Sequence, residues 1–123
     1  MQVVPNDMID AFTQVGGIRC GSSYWNATNS SWPFVKLCLS QDMIEITIRG
    51  LVSSPTVLQF ARSDIRGIRE RKGLFSAGIQ IEHKRCEYAP FVIFWTFDYS
   101  GLRNALKQRG FPLIEESYTE RLN

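Results

Sequence analysis

The sequence predicts a mainly β domain, a small barrel or bent sandwich capped by one helix near its C-terminus. Three observations predict it. Apolar residues alternate with polar ones in several short runs between Phe34 and Lys84, the period of half-buried strands. The stretch Phe91–Pro112 reads as an apolar strand feeding directly into a punctuated helix. Elsewhere strand–helix–strand alternation is absent, which excludes a doubly wound parallel sheet.

Taken in order, Asn6 or Asp7 is placed to cap a short N-terminal helix spanning 1–17, with Met8, Ile9, Phe12 and Val15 on one face and Gly16-Gly17 as its end. Ile18 to Trp25 is a weak strand signal, and the polar NATNSS stretch that follows reads as a turn. Phe34 to Leu39 alternates, with Val35, Leu37 and Leu39 on one face. Met43 to Arg49 is the cleanest alternation, with Ile44, Ile46 and Ile48 inward. Joined by Ser40-Gln41-Asp42, these two runs predict an antiparallel hairpin with one wet face.

Val57 to Ala61 predicts a further strand. Asp64 to Arg71 predicts another, with a bulge, because Ile65 and Ile68 stand three apart. Lys72-Gly73 turns the chain into Ala77–Lys84, where Ile79, Ile81 and His83 share a side. In Phe91–Phe97, Phe91, Ile93, Trp95 and Phe97 share one face and Val92, Phe94 and Thr96 the other. Asp98 or Ser100 caps the helix, Leu102, Ala105 and Leu106 form its apolar stripe, and Gly110-Phe111-Pro112 ends it. The domain therefore spans 18–113, followed by an acidic tail over 114–123.

With 123 residues, 44% of them apolar and 12% aromatic, the chain is long enough for a core without metal or disulfide staples. Three widely spaced cysteines, Cys20, Cys38 and Cys86, predict reduced thiols in a cytoplasmic protein. The sequons Asn26-Ala27-Thr28 and Asn29-Ser30-Ser31 read as plain polar loop, since the first ten residues lack the pattern of a secretory signal. No apolar run reaches the roughly 18–20 residues of a membrane span. A net charge of +2 does not by itself imply a polyanionic partner.

The succession of motifs resembles a known family. Ser31-Trp32-Pro33 opens a strand and Ile44–Ile48 forms the next. Phe60-x-Arg62-Ser63-Asp64-Ile65-x-x-Ile68 precedes Gly78-Ile79-x-Ile81-x-His83. Then come Pro90-x-x-Ile93-Phe94 and Leu102-x-x-x-Leu106-x-x-x-Gly110-Phe111. The order is similar to bacterial proteins with a pleckstrin-homology-like domain, related to the PH and GRAM superfamily, over roughly residues 18–113. The resemblance implies a seven-stranded, partly open barrel plugged by its C-terminal helix. It also implies a non-enzymatic scaffold of a superfamily used for lipid headgroups, peptides and self-association. Phosphoinositide-binding members carry paired basic residues between the first two strands, whereas here no lysine or arginine lies between Arg19 and Lys36.

Two surfaces stand out as binding sites. The Phe91, Ile93, Trp95 and Phe97 face exceeds what one helix covers and predicts an interface with a second copy or another protein. Arg62, Arg66, Arg69, Arg71 and Lys72 form a basic segment suited to anionic lipid or nucleic acid, or to keeping a strand edge solvated. Asp64 with Glu82 and Lys84 loosely matches the carboxylate–lysine set of metal-dependent nucleases, although alternation puts Glu82 and Lys84 in solvent. His83, the only histidine, is expected to be a strand-end residue with an ordinary hydrogen bond rather than the partner of Cys86. Trp25, Trp32 and Trp95 are expected mainly in core or interface. No cofactor motif and no catalytic set stands above background, so no enzymatic activity is expected.

Overall fold

Alternation alone places the first hairpin. In a computed structural model, which describes residues 11–22, 27–50, 54–73 and 76–114, Val35, Leu37 and Leu39 face Ile48, Ile46 and Ile44 across an antiparallel ladder. These strands are β2 (Ala27–Leu39) and β3 (Met43–Ile48). β1 (Phe12–Gly21) precedes them and β4 (Thr56–Ala61) follows. A single 3-10 turn, Arg62–Asp64, leads into β5 (Ile65–Lys72), then β6 (Ala77–His83) and β7 (Phe91–Thr96). Helix α1 (Tyr99–Gln108) and the two-residue β8 (Leu113–Ile114) complete the order.

Among the described residues all strands join one sheet in the order β4-β3-β2-β1-β7-β6-β5-β8, curled into a half-barrel. The mainly β class with a C-terminal helical cap is as the sequence predicts. Seven strands pair antiparallel, and the eighth adds in parallel to β5. The concave face holds Val35, Leu37, Ile44, Ile46, Phe60, Ile68, Ile79, Ile81, Val92 and Phe94, under Leu102, Ala105 and Leu106 of the helix.

Three expectations are corrected. The helix expected over 1–17 gives way to strand over Phe12–Gly17, within β1, while Met8 and Ile9 lie outside the described residues. Gly16 caps nothing. It lets β1 approach β7, because a Cβ there would stand 2.1 Å from the Trp95 carbonyl oxygen. Gly78 does the same from the other side, where a Cβ would stand 2.1 Å from the Phe94 carbonyl oxygen. Two glycines thus allow the sheet to coil tightly around β7. Second, the NATNSS stretch is no turn from Ala27 onward: Ala27–Ser30 pair with Gly21–Ile18 in the β1–β2 ladder. Third, the domain extends past 18–113, from Phe12 to Ile114, and residues 115–123 of the tail lie outside the described residues. The expected bulge in β5 is present, as a register shift between Ile65 and Gly67.

Helix α1 is held at both ends. The Asp98 carboxylate accepts from the Gly101 amide at 3.3 Å, and the Asp98 carbonyl accepts from Gln14 Nε2 of β1 at 2.8 Å. At the far end Gly110, with φ 70°, donates to Lys107 while Phe111 donates to Leu106, the paired bonds of a Schellman motif. Pro112 then accepts from Ile68, which lays β8 along the open edge of β5.

Arg62 reaches back across the fold to this helix end. Its guanidinium donates to the carbonyls of Arg109 (2.6 Å), Gly110 (3.1 Å) and Gln41, and stacks 4.1 Å over the Phe111 ring. Glu70, buried on the concave side of β5, meets Arg103 of the helix at 3.6 Å. Removing that cation leaves a buried carboxylate. Arg103→Ala is therefore expected to cost roughly 2 kcal/mol in urea unfolding, with Glu70→Gln in the same chain recovering most of it.

Candidate functional site

The site begins at an irregularity in β2. Gly16 pairs with Val35 and Ile18 with Ser30, so Gly17 alone stands opposite Ser31-Trp32-Pro33-Phe34. The surplus residues bulge outward, and bulges re-aim side chains. The Trp32–Pro33 peptide is cis. Trp32 is left 55% exposed and Phe34 is exposed beside it.

Phe97, at the end of β7, is 70% exposed and meets Trp32 edge-on, with ring centroids 6.1 Å apart and planes at 73°. Trp95 points to the same outer face. Its cross-strand neighbours are Gly17 on one side and Gly78 on the other, neither with a side chain to cover the indole. The Trp95 ring edge lies against the turn before β6, where a Cβ on Gly73 would stand 3.5 Å from it.

Between these rings opens a cleft of about 320 Å³. Trp32, Trp95 and Phe97 supply its aromatic walls, and Asn29, Ser30, Ser31 and Ser76 its polar rim. Asn29 is oriented by Arg19, whose Nη1 donates to Asn29 Oδ1 at 3.1 Å. The volume falls at the lower end of small-ligand sites, and the mixture of apolar wall with a few polar groups is typical of them.

The predicted outer face of β7 divides. Phe97 is open, Phe91 and Trp95 are half-buried, and Ile93 is 0% exposed. Ile93 sits in register between Arg19 and Gln80, long side chains on the same face that can lie over it. The face therefore presents aromatic groups at its Trp95–Phe97 end. Trp32 joins them from β2, and Trp25 lies outside the described residues.

The basic segment is dispersed. Arg62 clamps the helix end as described above. Arg69 pairs with Glu82 at 3.0 Å, and Arg71 Nε donates to Gln80 at 2.9 Å. Arg66 and Lys72 are exposed. Asp64 accepts from the Ala61 amide and from Arg85 Nη1 at 3.2 Å, while Lys84 is exposed. Among the described residues, no group of three or more His, Cys, Asp or Glu side chains is placed to hold a metal ion.

Both ring nitrogens of His83 are occupied. Nδ1 accepts from the Arg85 amide at 3.0 Å, which leaves Nε2 to donate to the Ala89 carbonyl at 2.9 Å. The ring packs against Phe60 and Tyr88. Tyr88 in turn accepts from the Gln59 amide on the outer edge of β4. The β6–β7 loop thus bridges the open seam of the half-barrel.

Arg85 holds that loop through Glu87. Their hydrogen bond keeps the Glu87 carboxyl below its ordinary value of 4.5, and the Arg85 guanidinium is raised chiefly by Glu87 and next by Asp64. A carboxyl depressed in the folded state binds fewer protons there than in the unfolded chain. Its contribution is therefore present above about pH 4.5 and fades as pH falls through the lowered folded value. In urea unfolding at pH 7 and pH 3, Glu87→Gln is expected to lessen the loss of stability on acidification.

No protein-family model matches this chain, and no curated protein does. Among solved structures it is similar to the hSac2 domain from human phosphoinositide phosphatase Sac2. The TM-score is 0.53 at 13% identity, over 93% of this chain and 81% of that one. At this identity the likeness shows the fold. No helix among the described residues is long and apolar enough to cross a membrane.

Proposed function

We propose that this chain is a non-enzymatic, PH-like binding module that engages another polypeptide, a partner protein or a second copy, through the cleft walled by Trp32, Trp95 and Phe97. The observation that carries the reading is the convergence of two exposed aromatic rings and a half-buried indole, from β2 and the end of β7, on the walls of one outer cleft. Large aromatics in a pocket are the usual anchors of protein interfaces. The likeness to a domain of a larger enzyme is consistent with an accessory binding role.

The basic segment offers less as a binding surface for anionic lipid or nucleic acid. Arg62 gives its donors to the helix end, and Arg69 and Arg71 each give at least one to a neighbouring strand residue, Glu82 and Gln80. If it were the surface used, neutralising Arg66 and Lys72 would abolish binding.

Panning a displayed random-peptide library against the protein tests the proposal, with the Trp32→Ala/Phe97→Ala variant for comparison. Both rings are exposed, so the double variant should unfold within about 1 kcal/mol of wild type. Enriched peptides are expected to bind the variant at least tenfold more weakly. Binders indifferent to the two substitutions, or none at all, would contradict the reading. Light scattering during size exclusion separates the two kinds of polypeptide: an oligomer dissolved by the double variant identifies a second copy, and a strict monomer removes self-association.

A further inference from the structure

We infer that the outer edge of β4 is a pairing surface for β4 of a second copy, and that the β6–β7 loop holds it closed. The aromatic cleft takes no part in this surface. β4 ends the sheet on one side, and its bonds to β3 show which groups face out. The Arg62 amide donates to the Asp42 carbonyl just beyond the Ala61–Met43 pair, as happens next to a non-hydrogen-bonded antiparallel pair. Ala61 and, by alternation, Gln59 and Val57 therefore turn their N–H and C=O groups away from β3.

The strand itself does nothing to protect that edge. Thr56–Ala61 reads TVLQFA, rich in β-formers and without charge, proline or glycine. Such segments pair readily with their own kind. Edge strands ordinarily carry a lysine, a proline or a bulge against this. Here side chains from other segments supply the protection. The Gln59 amide donates to Tyr88 Oη at 3.1 Å, and the Gln59 carbonyl accepts from Arg85 Nη1 at 3.4 Å. Asp64 accepts from the Ala61 amide at 3.1 Å and from the same Arg85 nitrogen at 3.2 Å. Tyr88 is seated edge-on against Phe60, ring centroids 5.3 Å apart, with the Arg85 guanidinium 5.1 Å over its own ring. Glu87 binds Arg85 Nε, and His83 accepts from the Arg85 amide.

Val57 lacks such cover. It is 43% exposed, and no described residue bonds to its outward N–H or C=O. Once the loop releases Gln59, the edge is self-complementary. Antiparallel pairing about a two-fold axis at Leu58 sets Val57 of one copy opposite Gln59 of the other, and each such pair exchanges both of its backbone hydrogen bonds. The strand brings no charge to repel its copy.

Tyr88→Phe removes the acceptor on the Gln59 amide and keeps the ring against Phe60, while Arg85→Ala uncovers the Gln59 carbonyl. In size exclusion with light scattering, the Arg85→Ala/Tyr88→Phe chain is expected at about twice the wild-type mass, and Val57→Pro added to it should restore that mass. Proline at 57 removes a donor that faces away from β3, so the β3–β4 ladder stays whole. Trp32→Ala/Phe97→Ala should leave the doubling unchanged. Hydrogen exchange at the Leu58 and Phe60 amides, which face β3, is expected to stay slow in every variant. A double variant at wild-type mass up to millimolar concentration would overturn the inference, as would a mass increase that survives Val57→Pro. Association with fast exchange at Leu58 and Phe60 would also overturn it, because that is unfolding and not edge pairing.

Discussion

Gly78→Ala is expected to cost roughly 3 kcal/mol or more, enough to leave much of this small domain unfolded or insoluble. The added methyl would stand 2.1 Å from the Phe94 carbonyl oxygen and 3.1 Å from the Trp95 Cα. Both neighbours are backbone and cannot rotate away. β7 would have to withdraw from β6, lifting Phe94, which is wholly buried at the centre of the core. Gly16→Ala should behave alike, since its methyl would meet the Trp95 carbonyl at 2.1 Å and the Phe94 ring at 2.7 Å. Gly110→Ala supplies the contrast. Its φ of 70° favours glycine, but open space surrounds the position, so a cost of about 1 kcal/mol is expected. Urea unfolding of the three variants checks the ranking. Losses below 1 kcal/mol at both Gly16 and Gly78 would contradict the tight coiling around β7.

Arg62→Ala ranks second, at roughly 3 kcal/mol. The side chain satisfies carbonyls of Gln41, Arg109 and Gly110, two of them at the negative end of the helix dipole, and covers the Phe111 ring. Its loss leaves those acceptors to water and loosens the helix from the 3-10 turn. Arg62→Lys should recover only a minor part, because a single ammonium cannot reach three carbonyls in fork geometry or stack on the ring. A lysine variant as stable as wild type would reduce the clamp to simple charge.

How much of this was legible depended on whether each residue's role is local. Met43–Ile48 announces its strand because every second residue is core. Asp98, Gly110 and Pro112 announce the helix because capping is decided within a few residues. β1 is hidden in the sequence for the opposite reason. Phe12, Val15 and Gly16-Gly17 mimic an amphipathic helix and its stop, while the need for glycine comes from the Trp95 carbonyl, far along the chain. The polar start of β2 looked like a turn because it lies at the exposed rim beside the bulge.

The site follows the same division. Parity along β7 groups Trp95 and Phe97 on one face, and cannot show that Ile93 on that face is covered. Trp32 was beyond reach, since its direction depends on a register shift that only the β1 pairing reveals. The basic segment looked like a patch because the sequence shows charges together. Arg62 in fact serves a helix end 47 residues away.

The central claim is that the aromatic cleft, and not the basic segment, is the binding surface. Backbone and indole amide shifts of the ¹⁵N-labelled protein, titrated with peptides selected by display, test it most directly. The account predicts the largest shifts at Asn29–Trp32, Ser76 and Trp95–Phe97, with Arg66 and Lys72 unmoved. Shifts concentrated at Arg66, Lys72 and their neighbours, with the cleft residues still, would contradict it.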